Sequence, residues 1–166
     1  MANNLEIEKR FLVKELPILE GLKSKKIVDV YFPEITDHAV LRARQQGDSF
    51  ELTKKTRSNT HNGYVMLEQT INLTEEEFKF LATCSQRRIE KTRYYFPYNN
   101  ITIEIDVFEY RLEGLVIAEI EFESEDLLKN FIAPNWLGKE INDVDILAGG
   151  ILSGKTFDDI KNLLIN

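Results

Sequence analysis

Like-charged residues recur two positions apart along this chain: Glu6 and Glu8, Arg42 and Arg44, Lys91 and Arg93, Glu104 and Asp106, Glu119 and Glu121. Arg10, Lys54 and Glu68 add single charges in similar settings. In an extended strand, residues two apart project from one face at roughly 7 Å, where like charges repel by about 2 kcal/mol at an effective dielectric near 20. Something must offset that repulsion. One such pair fits the wet face of a half-buried sheet, with acidic strands laid beside basic ones. Five are harder to place there, because a solvent face usually mixes charged with neutral polar residues. If the charged faces converge, they do so inside a closed barrel, which turns every second residue inward. Clustered arginine and lysine would then hold an anion, the planar guanidinium suiting phosphate oxygens. Carboxylates left unpaired by those bases would hold a hard divalent cation, Mg2+ or Mn2+, that bridges to phosphate. The chemistry expected of such an interior is metal-assisted attack of water on a phosphate chain.

The elements that must position these groups are mostly strands. Alternation with β-branched and aromatic residues predicts strands over 5–13, 26–32, 39–45, 49–56, 64–73, 88–96, 101–108 and 115–123. Residues 101–108 alternate most cleanly, with isoleucine and valine on one face and Thr102, Glu104 and Asp106 on the other. On the fourth strand Phe50, Leu52, Lys54 and Thr56 share a face; on the fifth, Met66, Glu68 and Thr70 do. Thr74 and Glu77 have capping-box spacing and open a helix to about residue 85. Ser124 opens another to about 131, Thr156 a last one to 164, and 17–23 is a short helix or turn. The segment 134–138 is a loop. The fold class is α+β: an eight-stranded antiparallel β-barrel with helices packed outside, where they cover the outward apolar faces.

The formal charge of −7 argues against broad adhesion to nucleic acid or an anionic membrane, while leaving room for a local basic site. A single cysteine, Cys84, excludes an intrachain disulfide framework and a cysteine zinc cluster. The first residues lack a signal-peptide core and no apolar run is long enough for a bilayer, so a cytoplasmic protein of one domain, 1–166, is expected. A homodimer is left open.

Glu6-x-Glu8-x-Arg10 resembles the ExExK signature of the CYTH superfamily, the triphosphate tunnel metalloenzymes. Further segments match in order: Arg42-x-Arg44, Leu52-Thr53-Lys54, Glu68, Lys91-Thr92-Arg93-Tyr94, Glu104-x-Asp106-x-Phe108, Ile117 to Phe122, and Trp136-Leu137-Gly138-Lys139-Glu140. The resemblance implies an eight-stranded tunnel that binds a triphosphate. Glu6, Glu8 and Glu121, with Glu119 close by, would hold the metal. Arg42, Arg44, Lys54, Lys91 and Arg93 would clamp phosphates, as would Arg10 in the place of the signature lysine. Glu68, Glu104 and Asp106 would order the site, bind a second metal or position the attacking water; Glu68, Arg10, Lys54 and Asp106 form the implied catalytic set. Met66-Leu67-Glu68-Gln69-Thr70 stands where bacterial relatives carry Arg-x-Glu-x-Glu. The implied activity is metal-dependent hydrolysis of inorganic tripolyphosphate or a nucleoside triphosphate. A class IV adenylate cyclase and a noncatalytic polyphosphate- or nucleotide-binding module are the alternatives.

Other residues receive no chemical role. His38 and His61 lack ligand partners at metal spacing, Cys84 is read as packing, and Trp136 as closing a barrel end. The string from Gly149 to Thr156 matches a phosphate loop in letters but sits in an antiparallel chain without the βαβ unit that motif requires.

Overall fold

The computed structural model describes residues 4–57 and 65–164, the side chains of residues 4–6, 57, 65, 66 and 163 excepted. Among the described residues nine strands form one antiparallel sheet: β1 (Asn4–Val13), β2 (Ser24–Phe32), β3 (Leu41–Gln46), β4 (Ser49–Arg57), β5 (Val65–Asn72), β6 (Arg88–Tyr98), β7 (Ile101–Phe108), β8 (Val116–Glu121) and β9 (Leu137–Glu140). Their order is β5-β4-β3-β2-β6-β7-β8-β1-β9. The first half of β1 also pairs β5, Asn4 opposite Glu68 through Ile7 opposite Val65, so the sheet curls round until its ends meet. The second half of β1 gives that edge to β9. Eight strands thus make the tunnel and the ninth extends it.

Outward faces are apolar and covered by helices. α1 (Glu75–Ala82) starts at the capping box Thr74/Glu77, with both reciprocal bonds formed. It lays Phe78 on Phe50, ring centroids 5.5 Å apart, above Val28, Ala43 and Leu52. On another side, α2 (Glu125–Asn130) buries Leu128 with Phe11, Ile103, Ile105, Ala118, Ile120 and Phe122. Each fully buried aliphatic or aromatic side chain there contributes about 1.5–3 kcal/mol relative to exposure.

Inward faces change character along the tunnel. Going one way, Glu8 and Arg10 give way to Leu12 on β1, Glu121 and Glu119 to Ile117 on β8, Glu104 and Asp106 to Phe108 on β7, and Arg93 and Lys91 to Ile89 on β6. The apolar ends of those faces pack with Tyr31, Leu147, Leu152 and Ile160 into a buried cluster that stops one end of the tunnel. This cap is built by a 3-10 turn at Asp145–Leu147, the short helix α3 (Gly149–Leu152) and α4 (Phe157–Leu164). Arg87 holds it from outside, donating to the carbonyls of Thr36, Asp37 and Gly150, as does Arg111 to the carbonyl of Ser153. Gly149 and Gly150 are required by close approach: a Cβ on the first would meet the Tyr31 hydroxyl at 2.2 Å, on the second the Ala39 carbonyl oxygen at 1.8 Å. That docking accounts for the glycines of the phosphate-loop-like string, which lies across α3 rather than in a βαβ unit.

Of the helix or turn expected at 17–23, the turn is what forms. Leu137 and Gly138 open β9 rather than ending the expected loop, and the cap contains α3, which the sequence pattern does not announce. No helix among the described residues is long and apolar enough to cross a membrane.

Candidate active site

The tunnel encloses a cavity of about 670 Å³. Arg42 and Arg44 from β3, Lys55 from β4, and Lys91 and Arg93 from β6 line it together with Glu8 and Arg10 of β1, Glu68 of β5, Glu104 of β7, and Glu119 and Glu121 of β8. Antiparallel register sets Glu8 opposite Glu121, Arg10 opposite Glu119, and Glu104 opposite Glu119. At least one member of each like-charged pair therefore lines the cavity.

Two buried acids stand behind the bases. Asp29, 1% exposed, accepts from Arg44 Nε at 2.7 Å and Nη2 at 2.8 Å, a bidentate fork. Asp106, 0% exposed, accepts from Arg93 Nε and Nη2, both at 2.7 Å, and from Lys91. Arg93 also donates to Glu104 and, at 2.5 Å, to Glu119 Oε2, so each of its three nitrogens is bonded. Arg42 is held differently: Nη2 lies 3.5 Å from Glu51, Nε lies 3.9 Å from Asp29, and the buried Nε has no hydrogen-bond partner.

Charge states follow from this packing. Burial alone would raise the Asp29 carboxyl, but Arg44 and Arg42 outweigh it and hold the group below the usual carboxylate range. Burial likewise opposes ionisation of Glu119, and Lys91, Arg93 and Arg10 together hold it well below its ordinary value. Glu104 goes the other way: burial, with Glu119 and Asp106 nearby, raises it despite Arg93. Burial lowers Lys91 although Asp106 opposes the shift.

Two expected roles are corrected by position. Lys54 is exposed and points away from the cavity, and Lys55 takes the inward place. Its co-facial neighbours Phe50 and Leu52 lie under α1, so Lys54 must face outward with them. Asp106 is fully buried beneath Lys91 and Arg93, which donate to it, and it is not among the residues that line the cavity. His38, given no role from sequence, is at the cavity wall, and His61 lies outside the described residues. Asp29, Glu51, Lys55 and Asn142 line the cavity although the sequence pattern did not single them out. The signal for Asp29 was available: a lone carboxylate in the apolar strand 26–32 needs a buried base.

For a metal, the donor set is mixed. Among the described residues no three of His, Cys, Asp and Glu are grouped to hold an ion. Glu104 and Glu119 are engaged by arginines, and the Glu6 side chain lies outside the described part. Glu8 and Glu121 face each other across β1 and β8 and line the cavity, with Lys55 Nζ 3.8 Å from Glu8. One or two carboxylates completed by phosphate oxygens is how Mg2+ is commonly held, so these residues fit such an ion.

A curled antiparallel tunnel whose inner surface opposes bases and acids defines a polyanion-binding tunnel protein. The CYTH domain family model matches residues 4–149, and the chain belongs to that family. It is 36% identical over 141 residues to an inorganic triphosphatase of Nitrosomonas europaea, the match covering 83% of this chain and 89% of that protein. An inorganic triphosphatase of Acetivibrio thermocellus is 34% identical over 138 residues, 82% of this chain and 85% of the relative. A crystal structure of an inorganic triphosphatase superposes with a TM-score of 0.66 at 31% identity, covering 89% of this chain and 93% of that one.

Proposed function

We propose that this protein is a metal-dependent triphosphatase whose substrate is a short linear phosphate chain, inorganic triphosphate foremost. The observation that carries the reading is the meeting, in one cavity, of Arg42, Arg44, Lys55, Lys91 and Arg93 with the facing carboxylates Glu8 and Glu121. The similarity to two inorganic triphosphatases over most of the chain supports it.

In this reading Arg42 and Lys55 meet phosphate oxygens directly, and Arg44, Lys91 and Arg93 supply a fixed positive field whose groups need no rearrangement at reaction. Glu8 and Glu121 would hold Mg2+ or Mn2+, which when bound neutralises phosphate charge and polarises the anhydride. Glu68, held by the Thr70 hydroxyl at 3.0 Å and by Lys55 at 3.6 Å, orients the attacking water.

The test is a panel of tripolyphosphate, pyrophosphate, ATP and thiamine triphosphate, each with Mg2+, Mn2+ or Co2+. Fastest release of orthophosphate from tripolyphosphate, abolished by chelator and by the Glu8→Gln variant, is expected. Cyclic AMP and pyrophosphate from ATP would establish a cyclase instead, and tight binding without turnover a binding module.

A further inference from the structure

Arg10 differs from the other cavity arginines in what it touches. Its Nε donates to Glu119 Oε1 at 3.1 Å, and its Nη2 donates to the carbonyl of Leu147 at 3.0 Å, in the turn that begins the cap. Arg93 donates to the other oxygen of Glu119, so that carboxylate is gripped on both sides. The backbone of Arg10 is fastened to the same region: its N–H donates to Asn142 Oδ1 at 2.8 Å, its carbonyl accepts from Ile141 N–H at 2.8 Å, and Asn142 Nδ2 donates to the carbonyl of Glu8 at 2.9 Å. Arg87 and Arg111 secure the cap from outside, whereas Arg10 reaches it from the charged interior.

We propose that Arg10 is a positioning residue that couples the acidic wall to the cap: its Nε fixes Glu119, and its Nη2 keeps the segment from Leu147 onward shut against the tunnel. The proposal rests on the triphosphatase reading for its kinetic part and reassigns Arg10 from phosphate binding to this coupling. An arginine is needed because two N–H groups on a rigid plane serve two acceptors in different directions. A lysine supplies the charge from a single nitrogen on a differently shaped stem and does not reproduce the fork.

Arg10→Lys separates the roles. Loss of the Leu147 bond is expected to speed hydrogen exchange at the amides of Ile151, Leu152 and Ser153 by about tenfold, with the Arg93 amide unchanged. The KM for tripolyphosphate stays within about threefold, any loss of turnover falling on kcat. Unchanged exchange, or a KM that rises beyond about threefold, overturns the proposal, the latter because a charge-conserving change would then have removed a substrate contact. Should Arg10→Lys fold poorly, Asn142→Ala opens the same junction from the cap side; it should raise exchange at the same amides, and no rise overturns the proposal. Exchange is read without substrate, so a failed triphosphatase reading would appear as wild-type protein without turnover while this result still stands.

Discussion

Arg93 and Arg42 face the same cavity under opposite conditions. The strands β6, β7 and β8 surround Arg93 with Asp106, Glu104 and Glu119, and each of its three nitrogens is bonded. The strands β3 and β4 leave Arg42 with acids at 3.5 Å and 3.9 Å and one buried N–H unbonded. An arginine so engaged contributes field and rigidity but has little left to offer a newcomer. An unsaturated one gains a bond when an anion arrives. The difference divides the tunnel into a wall that is set before binding and a wall that responds to it.

The sharpest way to break that division is Asp106→Asn. It removes the buried counter-charge that Lys91 shares with Arg93, which costs about 3–5 kcal/mol, and in a chain of this size lowers the melting temperature by on the order of 10 °C. The melt should be run without metal or phosphate. A shift of under about 2 °C would show that the set wall does not depend on this carboxylate.

Arg42→Gln should leave the melting temperature nearly unchanged and raise the KM for tripolyphosphate by about ten- to a hundredfold, the range for a lost charge-assisted bond. Equal losses in kcat and kcat/KM at constant KM would instead put Arg42 among groups that act only at the transition state.

Acidity draws a further contrast among the buried carboxylates. Asp29 and Glu119 are held below the ordinary carboxylate range, so their stabilisation is complete above about pH 4 and lost as pH falls through their lowered native values. Glu104, raised by burial, has the opposite sign: its native form binds a proton first, and its contribution to stability fades as pH rises from about 4 through the raised value. The stability of wild type relative to Glu104→Gln should therefore be greater at pH 4 than at pH 7. A larger advantage at pH 7 would mean that Arg93 governs Glu104 after all.

The smallest effect separates two neighbours. Lys55→Ala should raise KM severalfold, whereas Lys54→Ala on the outer face should change stability by less than about 0.5 kcal/mol and kinetics not at all. A reversal would restore Lys54 to the site.

Much of this was legible in the residues. The clean alternation of 101–108, the capping box at Thr74 and the charged pairs each state a local rule, and β7, α1 and the tunnel lining obey it. What the sequence hid was mostly long-range. Strand β9 is four residues carrying Gly138 and exists because β1 has an edge to share beyond β5. At 17–23, where the sequence left helix and turn open, Gly21 at φ +80° decides for the turn, a backbone that no helix continues through. Asp106 carries the spacing of a ligand, and only its depth, set by the packing of β6 on β7, makes it a support. The side of β4 that faces inward was decided by Phe50 and Leu52 seeking α1, a test that outranks the pull of a lysine toward its fellows.

The apolar stopper at one end has a consequence for traffic. The described residues stop the passage at the capped end, so a chain that enters from the other is taken in by one tip, and an inner fragment leaves after the outer one. A long polymer cannot be drawn through such a room and trimmed link by link.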